Sequence, residues 1–141
     1  MTEQYQAMTE EQHNEWVREK FQAANAFLAQ HGVLTERVLT KDSRYMAPLV
    51  AIWKFSIQGV TDKVWAVSGE VPTDYMDASA AATPRDALRY FCYRWQQKAD
   101  MILNGDTPPD AQQKAIAEEF IKNAERLYPL TENNAMWEEE V

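Results

Sequence analysis

Cysteine is almost absent from this chain, and Cys92 is its one representative. No intramolecular disulfide can form, which favours a reducing, cytoplasmic setting. Four glycines and six prolines in 141 residues exclude a fibrous or linker-rich chain. Basic residues are also scarce: 14 against 22 acidic ones give a formal net charge of −8. That balance repels phosphate backbones and anionic lipid surfaces, so neither nucleic acid nor membrane is an expected partner. The apolar run Pro48–Trp53 is far too short to span a bilayer. The first residues are polar and acidic, without the basic start and apolar stretch of a secretory signal.

What the chain does have is core material. It is 45% hydrophobic and 11% aromatic, enough for one well-buried domain of this length. We therefore expect a single domain over residues 1–141, with a loose leader at 1–8 and an acidic tail at 130–141.

The pattern along the chain changes period twice. Thr9, Glu10, Glu11 and Gln12 read as a capping box, which predicts a helix over about residues 10–31. Trp16, Val17, Phe21, Ala24, Phe27 and Leu28 share one broad face of it, and Gly32 is a natural stop. Residues 36–40 predict a short strand. Ala51, Trp53, Phe55 and Ile57 alternate with their neighbours as a strand requires. Turn residues at 59–62 and the β-prone stretch Lys63–Ser68 then predict a returning, antiparallel strand. Thr83, Pro84 and Asp86 open a second helix, whose apolar face holds Leu88, Phe91, Cys92, Trp95, Ala99, Ile102 and Leu103. Pro108, Pro109 and Asp110 open a third, with Ala115, Ile116, Phe120, Ala124 and Leu127 as its stripe and Pro129 as its stop. The expected fold is α+β, in the order α-β-β-β-α-α, with helices packed on one face of a small antiparallel sheet.

Few residues announce chemistry. His13 and His31 would stand about 27 Å apart along the first helix, so they cannot share a metal. Cys92 lies within an apolar face, where a cysteine behaves as a small hydrophobe. No phosphate loop, nucleophile elbow or zinc-binding spacing is present, and no cofactor or metal is implied.

Two stretches invite a functional reading. Between residues 68 and 77, Ser68, Glu70, Asp74, Tyr75 and Asp77 concentrate hydroxyls and carboxylates at a strand end. With Arg85 and Arg89 at the start of the second helix they are candidates for a ligand pocket. The plain alternative is a rigid connection whose side chains satisfy local amides. Outside the apolar stripe of the second helix lie Tyr90, Tyr93 and Arg94, with Gln96 and Gln97. Tyrosine and arginine are typical anchors of protein interfaces. Trp137, between Met136 and three glutamates, joins them as a candidate contact unless it docks on its own domain.

Residues Val64–Tyr75 and Ala87–Gln96 together resemble a family of small Gram-negative bacterial proteins known only as a domain of unknown function. The resemblance implies no activity, cofactor or site residue. The expected function is non-enzymatic: a cytoplasmic protein that binds another protein, with homo-oligomerisation left open. The alternative is a small-molecule binder or enzyme with its pocket between the 68–77 loop and the second helix.

Overall fold

The computed structural model describes residues 8–137. Three helices, α1 (Glu10–Gln30), α2 (Pro84–Leu103) and α3 (Ala111–Thr131), accompany one antiparallel sheet. Its strands are β1 (Thr35–Val38), β2 (Arg44–Met46), β3 (Val50–Ile57), β4 (Lys63–Gly69) and β5 (Asp74–Asp77). The chain divides into two compact units, with the boundary inside β5 between Tyr75 and Met76.

In the first unit, α1 begins where its capping box predicts. Thr9 Oγ1 accepts from the Gln12 amide and Gln12 Oε1 accepts from the Thr9 amide, both at 3.0 Å. The helix ends at Gln30, and the chain turns away at Gly32, whose φ of 81° is easy only for glycine. The Val33 amide then returns to the Leu28 carbonyl at 2.9 Å.

α1 buries Trp16, Ala24 and Leu28 in a cluster with Ala51, Trp53 and Phe55 of β3 and Val64 and Ala66 of β4. Trp53 stands opposite Ala66 in register, so the large ring meets a small neighbour. Its ring is also bracketed by Phe21 at 5.7 Å and Tyr45 at 4.8 Å between centroids. The alternate residues of β3, Val50 and Ile52, are buried as well, which explains why the sequence here reads as a continuous apolar run. Lys54 keeps its charge on that side by resting 5.1 Å from the centroid of the Trp65 ring.

The strands occur in the order β1-β3-β4-β5, with β2 also paired to β3. The strand expected over residues 36–40 is β1; the unforeseen β2 lies along the same edge of β3, separated from β1 by a 3-10 turn at Thr40–Asp42. Ser43 bridges the interruption. Its hydroxyl donates to the Leu39 carbonyl at 2.9 Å and accepts the Lys54 amide at 3.0 Å. β5 is the second unforeseen strand, inside the 68–77 stretch expected to be a loop.

In the second unit, Thr83 caps α2 by accepting the Asp86 amide at 3.1 Å, and Asp110 caps α3 through a capping box with Gln113. Arg89, early in α2, meets Thr131 at the end of α3, and Lys98, later in α2, meets Phe120 further back in α3, so the two helices run antiparallel. α2 buries Ala87, Leu88, Phe91, Cys92, Trp95 and Ala99.

Two expectations for α3 need correcting. The helix does not stop at Pro129 but continues to Thr131. Proline forfeits one backbone bond, and so near the end the remaining carbonyls are met by the Glu132 and Asn133 amides at 3.1 and 3.2 Å. The buried stripe is Ala117, Asn123, Ala124, Leu127 and Thr131; Ala115 and Ile116 are exposed. Ala115 is turned about 160° from Ala117 around the axis. Ile116 remains 45% exposed although the adjacent Ala117 is fully buried.

Candidate functional site

The loop residues belong to the first unit as far as Tyr75. Ser68 is fully buried. Its hydroxyl accepts from Trp53 Nε1 and donates to the Lys20 carbonyl, each at 2.9 Å. It therefore ties α1 to the sheet. Gly69 faces Val50 in register with φ 127°, and a Cβ there would sit 2.6 Å from the Leu49 carbonyl oxygen. That carbonyl accepts the amide of the exposed Glu70 at 2.9 Å. Asp74 is buried, and one carboxylate oxygen accepts the Tyr75 amide at 2.8 Å. The Tyr75 ring packs on Phe27 and His31, with centroids 6.0 and 5.3 Å away. The His31 ring in turn bonds the Phe27 carbonyl through Nδ1 at 2.8 Å, so that nitrogen carries the proton.

Asp77, across the boundary, caps the short turn Ala78–Ala80 by accepting the Ser79 amide at 2.8 Å. Hydrogen bonds from Ser79 hold its carboxyl below the ordinary aspartate range. Asp74 and Asp77 thus serve neighbouring amides, which is the arrangement of a rigid connection.

Arg85 and Arg89 converge on one atom. The Thr131 carbonyl accepts from Arg85 Nε at 2.5 Å and from Arg89 Nη2 at 2.9 Å. Arg85 also donates to Asn134 Oδ1 at 2.7 Å, and Arg89 pairs with Asp86 at 3.0 Å. Two guanidinium groups therefore cap the negative end of α3. The sequence places both arginines on one face of α2 but gives no hint of a target 46 residues away in the chain.

Trp137 is docked on its own unit. It is 9% exposed and donates Nε1 to the Leu130 carbonyl at 2.8 Å. The turn Asn134–Met136 that delivers it is held by Arg85. The expected leader and the three tail glutamates lie outside the described residues, apart from Met8.

Cys92 is buried, and desolvation pushes its thiol up to about 12. The thiolate that nucleophilic chemistry needs is thus disfavoured near neutral pH. Among the described residues, no three His, Cys, Asp or Glu side chains gather to hold a metal ion.

The outer face of α2 is different in kind. Tyr90, Tyr93, Gln96, Gln97, Asp100 and Met101 line an open depression of about 780 Å³. Tyr90 and Tyr93 are 43% and 48% exposed, and Met101 is 73% exposed. Tyr93 leans on Tyr128 of α3, with rings 5.8 Å apart and hydroxyls at 3.4 Å. That bond raises the Tyr128 phenol above its ordinary value. Arg94, expected in this group, is half-buried and does not line the depression. Asp100 and Met101 are the additions. On a helical projection Asp100 falls about 20° from Tyr93 and Met101 about 20° from Tyr90, which is the signal that would have included them.

Three helices and a small antiparallel sheet define an α+β protein whose most exposed aromatic surface, among the described residues, lies along one helix. No helix in the described residues is long and apolar enough to cross a membrane. The chain belongs to the family described as Domain of unknown function (DUF4826), whose model matches residues 10–137. No curated protein and no solved structure matches it.

Proposed function

We propose that this protein acts without catalysis, in the cytoplasm, by binding another protein through the outer face of α2. The observation that carries the reading is the exposure of Tyr90, Tyr93 and Met101 around one depression. Tyrosines, large and with few rotamers, beside an adaptable methionine at a concave surface are usual anchors of protein recognition. The polar residues that suggested a pocket are instead used internally: Ser68, Asp74, Arg85 and Arg89 each bond to the protein's own groups.

Affinity capture from the native lysate tests the proposal, comparing the unmodified chain with a Tyr90→Ala/Tyr93→Ala/Met101→Ala variant of unchanged circular dichroism. A protein retained by the first and lost by the second is the expected result. Equal retention by both removes α2 from the proposal. A small molecule held stoichiometrically in the native mass spectrum would favour the ligand-pocket alternative.

A further inference from the structure

The charge around the α2 depression says what kind of segment it would accept. None of its six lining residues is cationic, and Asp100 is the one formal charge among them. Asp100 Oδ1 accepts from Asn104 Nδ2 at 2.7 Å, and no cation pairs with it among the described residues. Of the four basic residues of α2, Arg94 lies outside the lining and three have other contacts. Arg85 and Arg89 hold the Thr131 carbonyl, and Lys98 Nζ lies 5.7 Å from the Phe120 ring centroid.

A partner that covers the depression withdraws Asp100 from water. A buried carboxylate without a counter-charge is costly. The faces of Tyr90 and Tyr93 carry negative π density, which attracts ammonium and guanidinium groups. A second copy docked through the same face supplies no cation: it brings another Asp100 and a further net charge of −8. Resting on the docking-face reading above, we infer that the occupant is a protein segment presenting lysine or arginine beside an apolar side chain. The cation sits against the tyrosine rings and Asp100, and the apolar group covers Met101.

The test uses the full chain, isotopically labelled, titrated with a synthetic amphipathic helical peptide of leucine and lysine and with its glutamate counterpart. The lysine peptide shifts the amide resonances of residues 90–101, and its affinity falls as salt rises. Asp100→Asn, which keeps the Asn104 contact and removes the charge, weakens it roughly tenfold, the scale of one charge-assisted hydrogen bond. Asp106→Asn removes the same charge outside the depression and leaves affinity within about twofold. Equal binding of the glutamate peptide, or an Asp100→Asn variant that binds like the parent, overturns the inference. So does sedimentation showing a dimer whose formation shifts these same resonances. The two readings separate in the capture experiment. If the Tyr90/Tyr93/Met101 variant loses its cellular partner while Asp100→Asn retains it, the docking face stands and the cationic occupant falls. If neither variant loses it, both fall.

Discussion

Replacing Ser68 with alanine removes one oxygen atom and strands two partners. Trp53 Nε1 is the more expensive of them, because the indole is 1% exposed and has Ser68 Oγ as its acceptor. Leaving such a donor unmet costs about 1–3 kcal/mol. The Lys20 carbonyl loses less, about 0.5–1.5 kcal/mol, since a carbonyl inside α1 also accepts from the helix itself. The variant should therefore lose about 2–4 kcal/mol, or on the order of 10 °C in Tm for a chain of this length. Urea unfolding followed by circular dichroism measures the loss. A double-mutant cycle assigns it: in a Trp53→Phe background the donor is gone, and Ser68→Ala should then cost about 1–2 kcal/mol less. A single-variant loss below about 1 kcal/mol, or costs that add within about 0.5 kcal/mol, would refute the bridge from α1 through Ser68 to Trp53.

Other perturbations follow from the same bonds. Trp95 is fully buried, so Trp95→Ala should cost about 3–5 kcal/mol in urea unfolding, and under about 1 kcal/mol would contradict its place in the core. Trp137→Ala should lower Tm by several degrees and remove a blue-shifted component of the tryptophan emission, the scale expected for about 1–2 kcal/mol. Asp77 has a depressed folded-state pKa, so its stabilising contribution is complete above about pH 4, the unfolded aspartate value, and is lost as pH falls through the lower folded value. The urea midpoints of the parent and Asp77→Ala should accordingly differ at neutral pH and draw together in acid; a constant gap would argue against the Ser79 cap.

Much of the fold was legible because its signals are local. Thr9 with Gln12, Thr83 with Pro84, and Pro108 and Pro109 with Asp110 mark helix starts within four residues, and all three caps form. β2 and β5 escaped because three- and four-residue strands carry no period and exist only through their pairing. Pro129 misled because its effect depends on how close the helix already is to ending. The 68–77 loop looked like a site because its composition is polar. Its destinations could not be read: the Ser68 hydroxyl reaches a carbonyl 48 residues away. The exposed tyrosines of α2 could be read, because helical phase alone sets Tyr90 and Tyr93 apart from the buried stripe.

The interrupted edge of β3 has a bearing on how the protein behaves at high concentration. Val50–Trp53 is an apolar, β-prone run of the kind that seeds cross-β aggregation when a flat neighbouring edge is exposed to another chain. Here β4 covers one side of β3, and the outer rim is formed by two strands of only four and three residues. The 3-10 turn between them and the register shift between Thr35 and Arg37 break the row of backbone donors and acceptors that an incoming strand would have to match. Straightening that rim, for example by deleting Thr40–Asp42, should convert a self-limiting sheet into one that templates its own addition, readable as thioflavin-positive fibres.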